Sequence, residues 1–210
     1  MNAQPIRGSM TALHPDLDFG RPLEALRNAG AAFIPHALTD QFRQQLQRDI
    51  EDGPFERLPD RIGPVRQEVD LFIVTDAMTA HPALARLRTQ FVTRLRQDGP
   101  HLAGLRRWWP NEAYVQRYEP GALGVSPHLD SKRFAVLVAI FTIEGSARFA
   151  LCQDRAGAII QAWDAGPGSL ALLRGPGLLD AEDQRPFHTV HGPTAGRRFS
   201  ITFRMNQKRR

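Results

Sequence analysis

Residues 188–205, which read HTVHGPTAGRRFSITFRM, carry most of the sequence evidence for the fold. The segments at the two ends of this stretch are short and rich in β-branched and aromatic side chains, as strands are. Between them, residues 192–196 contain the glycine and proline that mark a chain reversal. We therefore expect the strand that contains His188 to lie beside the strand that begins at Arg198.

The same strand pattern extends upstream. Short apolar or alternating segments, separated by Gly, Pro and Asp, continue through the second half of the chain: residues 114–118, 134–143, 147–152, 159–163 and 169–173. Seven short strands in roughly 95 residues are typical of a sandwich or a closed barrel. We predict a mainly β protein with flanking α-helices, namely a double-stranded β-helix, or jelly roll, with an N-terminal helical layer.

The first half of the chain has a helical pattern. Apolar residues recur at spacings of three and four in three segments, residues 23–28, 40–52 and 81–97. Thr39 is placed to cap the second helix. We expect one domain over residues 1–210. Its parts would be a mainly helical support and lid (residues 1–110), a catalytic jelly-roll core (residues 111–206) and a basic tail (residues 207–210).

Composition limits the classes of protein to which the chain can belong. Hydrophobic residues make up 42% of it and charged residues 23%, which is ordinary for a globular protein. The single cysteine, Cys152, cannot form an intramolecular disulfide or a thiolate cluster, so a metal would need histidine and carboxylate ligands. No apolar run approaches the roughly 20 residues that span a bilayer, and residues 1–20 lack the apolar core of a secretory signal. We expect a cytoplasmic protein without a membrane segment.

Two candidate metal ligands stand close together in the sequence SPHLD at residues 126–130. His128 and Asp130 are at i and i+2, and on a strand such side chains point to the same face. His188, which follows Asp130 by 58 residues, would complete a set of two imidazoles and one carboxylate. This facial triad leaves coordination positions of Fe(II) open for other ligands. In the structural alternative, His128 and Asp130 share a hydrogen bond beside a turn and His188 is a core histidine.

The spacing downstream of His188 favours the metal site. Arg198 follows His188 by ten residues, and Ser200 follows two residues later. This pattern resembles the distal half of the motif in 2-oxoglutarate oxygenases of the prolyl-hydroxylase and AlkB kinds. The resemblance implies Fe(II) as the metal and 2-oxoglutarate as the cosubstrate. Independently of the family, the planar guanidinium of Arg198 suits a carboxylate, which it can bind through two hydrogen bonds.

Further matches extend the resemblance over residues 111–206. The segment QRYEPGA, which begins at Gln116, is similar to the AlkB-type stretch Asn-x-Tyr-x-x-Gly, and RFSITFR near the end of the chain is similar to that family's Arg-x-Asn-x-Thr-x-Arg. The resemblance implies that Tyr118 hydrogen-bonds the cosubstrate and that Gln116, Ser200 and Arg204 help to bind it. Gln116 and Ser200 stand where the family usually has Asn, which argues against its nucleic-acid-repair branch.

The resemblance also implies a reaction. Related enzymes convert 2-oxoglutarate and molecular oxygen to succinate and carbon dioxide and remove hydrogen from a substrate C–H bond. Asp130 fills the position that related halogenases leave for chloride, so we expect oxygenation rather than halogenation. His191 is an alternative third ligand, but only His188 has the ten-residue spacing to Arg198.

Three functions stay open at this point. The first is hydroxylation of a small molecule, an amino acid or a natural-product intermediate, whose anionic group Lys132 or Arg133 would hold. The second is AlkB-like oxidative demethylation of nucleic-acid bases, with Arg106, Arg107 and the basic tail on phosphates. The third is a non-enzymatic ligand-binding jelly roll of the cupin type. We favour the first, because basic residues follow the metal motif where a base-reading enzyme tends to have a carboxylate.

Some aromatic and histidine residues have no counterpart in this resemblance. We interpret the adjacent Trp108 and Trp109 as a core pair rather than as a base-stacking surface. We interpret the four histidines of the helical half as structural or surface residues: His14, His36, His81 and His101.

Overall fold

The computed structural model describes residues 10–75, 78, 80–179 and 185–209. The N-terminal residues 1–9 and the last residue of the basic tail lie outside the described residues. The helices of the described part are α1 (Gly20–Ala29), α2 (Asp40–Ile50), α3 (Pro82–Asp98) and α4 (Ala103–Arg107). Its strands are β1 (Ala31–Ile34), β2 (Glu56–Arg57), β3 (Arg61–Ile62), β4 (Val65–Glu68), β5 (Asp70–Thr75), β6 (Glu112–Tyr118), β7 (Gly124–His128), β8 (Phe134–Glu144), β9 (Ala147–Cys152), β10 (Ile159–Ala165), β11 (Leu170–Arg174), β12 (Phe187–His191) and β13 (Arg198–Asn206). No helix within these ranges combines the length and the apolar character that crossing a bilayer requires.

The strands form two sheets in which neighbouring strands are antiparallel. The larger sheet has the order β1-β11-β8-β13-β6-β5-β2, and the smaller sheet has the order β10-β9-β12-β7-β4-β3. One apolar core lies between the helices and the larger sheet, and a second contains side chains from both sheets. The predicted jelly roll with a helical layer is therefore confirmed.

Apolar and polar side chains alternate along β13, so its two faces differ in character. Phe199, Ile201 and Phe203 are fully buried in the core beneath the helices. The side chains between them, such as Arg198 and Ser200, face the interior between the sheets, because successive strand residues point to opposite faces. The aromatic and aliphatic row thus fixes the direction in which the polar row points.

β12 and β13 lie in different sheets. β12 pairs with β7 and β9, whereas β13 pairs with β6 and β8. The prediction that the strand with His188 lies beside the strand from Arg198 is therefore wrong, because residues 192–197 carry the chain from the smaller sheet to the larger one. Turn residues indicate that a chain reverses, but not which sheet it joins next. The two strands face each other across the interior, so both residues still line one pocket.

All seven predicted strands and all three predicted helices are present, with bounds that differ by a few residues. Thr39 caps α2 as predicted, because its hydroxyl accepts a hydrogen bond from the main-chain nitrogen of Phe42 at 3.4 Å. The helical first half also contains β1 to β5, which join both sheets, so residue 110 is not a structural boundary. β2 and β3 have two residues each and carry no periodicity. The same-face argument for His128 and Asp130 assumed a strand through residue 130. β7 contains Gly124 and Pro127 and ends at His128, so Asp130 lies beyond the strand.

Trp108 and Trp109 do not form a core pair. Trp108 is buried, and its indole nitrogen donates to the carbonyl of Leu137 at 3.0 Å. Trp109 is 40% exposed. The backbone at Trp108 is extended after the end of α4, and adjacent side chains on extended chain point in opposite directions.

Candidate metal centre and adjoining pocket

The two candidate histidine ligands face each other across neighbouring strands. His128 ends β7, and His188 is its direct antiparallel partner on β12, with ring centroids 4.2 Å apart. The Nδ1 atom of His128 lies 2.9 Å from the carbonyl oxygen of Ser126, and that of His188 lies 3.2 Å from the carbonyl oxygen of Pro186. Donation of Nδ1–H to these carbonyls leaves Nε2 of each ring available to a metal.

Asp130 completes the cluster just beyond the end of β7. Ligand atoms of Asp130, His128 and His188 all lie within 4.8 Å of one another. Oδ1 of Asp130 accepts a hydrogen bond from Arg204, whereas its buried Oδ2 has no hydrogen-bond partner among the described residues and lies 3.6 Å from Nε2 of His188. A buried carboxylate oxygen is costly unless a cation or a donor reaches it. This donor set, two imidazole nitrogens and one carboxylate oxygen, fits Fe(II).

Burial and neighbouring charges set the ionisation of the cluster. Burial raises the pKa of Asp130, but the charges of Arg204, His188, His128 and Arg185 outweigh it and hold the pKa below its ordinary value. Burial lowers the pKa of His188 to about 4, and the neighbouring His128 acts in the same direction. An ionised carboxylate and a neutral imidazole are the forms that bind a metal.

A pocket adjoins the cluster, and its far wall consists of the interior-facing residues of β6 and β13. In the antiparallel register, Arg198 lies opposite Tyr118 and Ser200 lies opposite Gln116. These four side chains line the pocket together with the two candidate histidine ligands. The residues that the sequence assigns to metal and to cosubstrate are therefore brought to one cavity.

Arg198 is fully buried, and its hydrogen-bond partners among the described residues are neutral. Its Nη1 donates to the hydroxyl of Ser200 at 3.2 Å and its Nη2 donates to the hydroxyl of Thr142 at 3.1 Å, while its Nε has no partner in the described part of the chain. Burial lowers the pKa of Arg198, and the nearby Tyr118 opposes this shift. Within the described residues no carboxylate forms an ion pair with this guanidinium. A buried charge without a counterion is expensive, so the arrangement suits an anionic ligand.

A hydrogen-bond chain orients the phenol of Tyr118. The hydroxyl of Thr202 donates to Oε1 of Gln116 at 2.9 Å, which fixes the amide so that its Nε2 donates to the Tyr118 hydroxyl at 3.0 Å. The phenol proton is then available for another acceptor. Burial raises the pKa of Tyr118 despite the charge of Arg198, so the group stays a donor.

Arg204 lines the pocket and contacts the metal cluster directly. Its Nη2 donates to Oδ1 of Asp130 at 3.1 Å, and its guanidinium lies 4.3 Å from the ring centroid of Tyr114 and 4.6 Å from that of Phe134. The two rings fix the position of the guanidinium, because cations are attracted to aromatic faces. Arg204 therefore holds a candidate metal ligand, a contact that the resemblance did not imply.

Three other residues of interest lie away from this pocket lining. His191 is exposed at the end of β12, whereas His188 is 3% exposed, which favours His188 as the third ligand. Lys132 and Arg133 are exposed on the loop after Asp130, and the Arg133 guanidinium lies 4.8 Å from the ring centroid of Phe134. Their predicted contact with substrate stays a prediction.

The sequence did not reveal three residues that support the site. Thr142 on β8 holds Arg198, Phe149 on β9 stacks on His188 at 5.8 Å between ring centroids, and Arg185 donates to the carbonyl oxygen of Asp130. Each comes from a different strand or loop, and no spacing to a motif marks it. Only the fold brings these side chains to the site.

The fold is similar to that of known 2-oxoglutarate oxygenases. A prolyl hydroxylase from Trichoplax adhaerens, solved with a peptide fragment of the oxygen degradation domain of hypoxia inducible factor, is 13% identical, with a TM-score of 0.62 over 89% of this chain and 88% of that one. A prolyl-4-hydroxylase from Pseudomonas putida is 15% identical, with a TM-score of 0.60 over 90% of this chain and 98% of that one.

A third structure supports the same fold. An oxidoreductase of the 2OG-Fe(II) oxygenase family from Burkholderia pseudomallei is 12% identical, with a TM-score of 0.65 over 93% of this chain and 95% of that one. No protein-family model and no curated protein matches the sequence. The chain therefore has the double-stranded β-helix fold of the 2-oxoglutarate and Fe(II) oxygenases, and its candidate site has the donor set that the resemblance in sequence implied.

Proposed function

We propose that this protein is an Fe(II)- and 2-oxoglutarate-dependent dioxygenase that hydroxylates a C–H bond of a small molecule, an amino acid or a natural-product intermediate. The observation that supports it most is the pairing of two features in one pocket. A compact cluster of two histidines and one carboxylate lies at one wall, and the buried guanidinium of Arg198, without a carboxylate partner among the described residues, lies at the other. A cupin-type binding protein would have no need for both.

The residues present fit this metal and this cosubstrate. His128, Asp130 and His188 would hold the iron, and Arg198 would bind the distal carboxylate of 2-oxoglutarate with the hydroxyl of Ser200 beside it. When bound, iron and 2-oxoglutarate supply the oxidative chemistry in which the cosubstrate, molecular oxygen and a substrate C–H group give succinate, carbon dioxide and the hydroxylated substrate.

The protein's own groups would orient the ligands and exclude water. Tyr118, held by Gln116, would donate its phenol hydrogen to an oxygen of the cosubstrate. Arg204 holds Oδ1 of Asp130, which leaves Oδ2 directed to the centre of the cluster. Apolar side chains of both sheets line the same pocket: Val125, Ile140 and Val190. A dry pocket strengthens the interaction of Arg198 with an anion.

The small-molecule substrate is the finer part of the proposal. Lys132 and Arg133, on the loop directly after Asp130, would attract an anionic group of the substrate. Oxidative demethylation of nucleic-acid bases is the alternative with the same metal and the same cosubstrate.

Aerobic incubation with Fe(II) and 2-oxoglutarate tests the proposal, with succinate release as the readout. One panel would contain amino acids and their derivatives, and a second would contain methylated oligonucleotides. We expect members of the first panel to stimulate succinate release by the wild-type protein but not by Asp130→Ala, which lacks the carboxylate ligand. Formaldehyde release with the second panel would show that the substrate is a nucleic-acid base and not a small molecule. Wild-type turnover that never exceeds that of Asp130→Ala would contradict the dioxygenase activity.

A further inference from the structure

A basic surface with an exposed tryptophan lies outside the pocket. The guanidinium carbon of Arg88 lies 4.8 Å from the ring centroid of Trp109, and that of Arg96 lies 6.0 Å from it. Even so, Trp109 keeps 40% of its surface exposed. Arg106 and Arg107 are exposed in the last turn of α4, just before the two tryptophans. We call these residues, Arg88, Arg96, Arg106, Arg107 and Trp109, the Trp109 surface.

Hydrogen bonds to the main chain hold the arginines of α3 beside the tryptophan. Nη2 of Arg96 donates to the carbonyl of Trp108 at 2.9 Å, and Nη1 of Arg88 donates to the carbonyl of Pro110 at 3.3 Å. The bond of Arg96 leaves other N–H groups on its guanidinium, because an arginine has five. The surface is therefore a prearranged group of donors rather than a set of independent side chains.

The end of the chain lies close to the segment that follows this surface. Nδ2 of Asn111 donates to the carbonyl of Arg209 at 3.3 Å, which places the last described residues beside the segment that follows Trp109. Arg209 forms an ion pair with Glu112 at 2.5 Å. In the described part of the chain, no acidic side chain forms an ion pair with Arg96, Arg106, Arg107 or Lys208. These four positive charges are thus not neutralised within the described part of the chain.

This surface and the metal pocket lie on opposite faces of β13. The main-chain nitrogen of Trp109 contacts the sulfur of Met205 at 3.5 Å, and Met205 packs against the core under the helices. The preceding residue, Arg204, points the other way and lines the pocket. A group bound at the Trp109 surface would therefore lie outside the pocket.

We propose that the Trp109 surface binds single-stranded nucleic acid. Guanidinium groups bind phosphate oxygens through paired hydrogen bonds, and an exposed indole offers a face on which an unpaired base can stack. In a duplex the base faces are already stacked, so Trp109 would add little to its binding. An acidic peptide would use the arginines but not the indole. This inference is independent of the proposed reaction, because it involves none of the pocket residues.

Fluorescence anisotropy of a labelled oligothymidylate, with an acidic polyglutamate chain as competitor, tests this proposal. We expect the logarithm of the association constant to fall linearly with the logarithm of salt concentration, by about 0.7 per neutralised phosphate. Trp109→Ala should weaken binding by roughly tenfold with little change in that slope, because it removes stacking and not charge. The double variant Arg106→Glu with Arg107→Glu should weaken binding and also reduce the slope, by about 0.7 for each phosphate that the protein no longer neutralises.

A matched control separates this surface from the general positive charge of the protein. Arg21 on α1 and Arg48 on α2 are exposed, and replacing both by Glu changes the net charge by the same amount. We expect this control to bind the oligonucleotide as the wild type does, and circular dichroism should show that every variant is folded. Equal weakening by the control and by the Arg106 and Arg107 variant would overturn the proposal. So would absence of binding at low salt, or competition by polyglutamate with no effect of Trp109→Ala, which would indicate a general anion surface.

Discussion

At Arg198 the chain buries a guanidinium whose described partners are all hydroxyl groups. Removing one charge from water costs several kcal/mol even after relaxation, on the order of the net stability of a small domain. Such a cost is typical of a binding site, where a ligand later supplies the counterion. Oδ2 of Asp130, which has no hydrogen-bond partner among the described residues, is likewise a buried charged atom, and a cation would neutralise it. Spacing in the sequence predicted a role for both residues, but not for the hydroxyl of Thr142 that holds Arg198.

Single substitutions distinguish His188 from His191 as the third metal ligand. His188→Ala removes a buried imidazole that faces His128, and we expect metal affinity to fall by more than the roughly 10- to 100-fold that loss of an outer-sphere partner costs. His191→Ala removes an exposed imidazole and should leave the affinity unchanged. Calorimetric titration with Mn(II), which resists oxidation during the measurement, gives both values. A large loss in His191→Ala with wild-type affinity in His188→Ala would reverse the assignment.

At the scale of elements, the site depends on how closely β7 and β12 approach each other. Gly124 on β7 has a φ of +83°, and a Cβ there would lie 2.1 Å from the carbonyl oxygen of Val190 on β12. The absence of a side chain at this position therefore lets the strands that carry the two histidines come together. The close approach of β12 explains why β7, with few strand-forming residues, still forms a strand.

Gly124→Ala tests this packing, with Gly121→Ala as the matched control. Both glycines have positive φ, but a Cβ at Gly121 meets no atom within 4 Å. Gly121→Ala should cost only the backbone strain, about 1–2 kcal/mol. Gly124→Ala should cost at least about 3 kcal/mol, because it adds a steric clash to the same strain. Urea unfolding measures both, and equal losses would show that the close approach of the strands is unimportant.

The sequence predicted elements well where a pattern was long enough to repeat. β8 has eleven residues and β13 has nine, and both are strongly apolar on at least one face. β2 and β3 have two residues each, so their sequence contains no period to detect. The crossing between β12 and β13 was predicted wrongly for a different reason. Sheet membership depends on contacts between distant parts of the chain, which local spacing does not contain.

In the whole molecule, the two halves of the sequence form one scaffold that carries the metal pocket and the Trp109 surface at separate places. Helices cover one face of the larger sheet, and the pocket with the metal cluster lies on its other face. The Trp109 surface is on the helical side. Sequence motifs predicted the pocket, and the sequence also suggested Arg106, Arg107 and the basic tail as phosphate contacts. Only the structure places Arg88 and Arg96 of α3 beside Trp109. The substrate depends on pocket shape and loop contacts, which no motif encodes.

The proposed function requires that the three candidate ligands and Arg198 form a single site for metal and 2-oxoglutarate. Anaerobic calorimetry of 2-oxoglutarate binding, with and without Mn(II), tests it most directly. We predict that 2-oxoglutarate binds tightly only when the metal is present, because chelation to the metal and contact with Arg198 act together. Arg198→Lys should keep the metal affinity and lose most of the 2-oxoglutarate affinity, since a point charge does not reproduce the planar fork. Binding of 2-oxoglutarate that is independent of the metal, or that is unchanged in Arg198→Lys, would contradict the account.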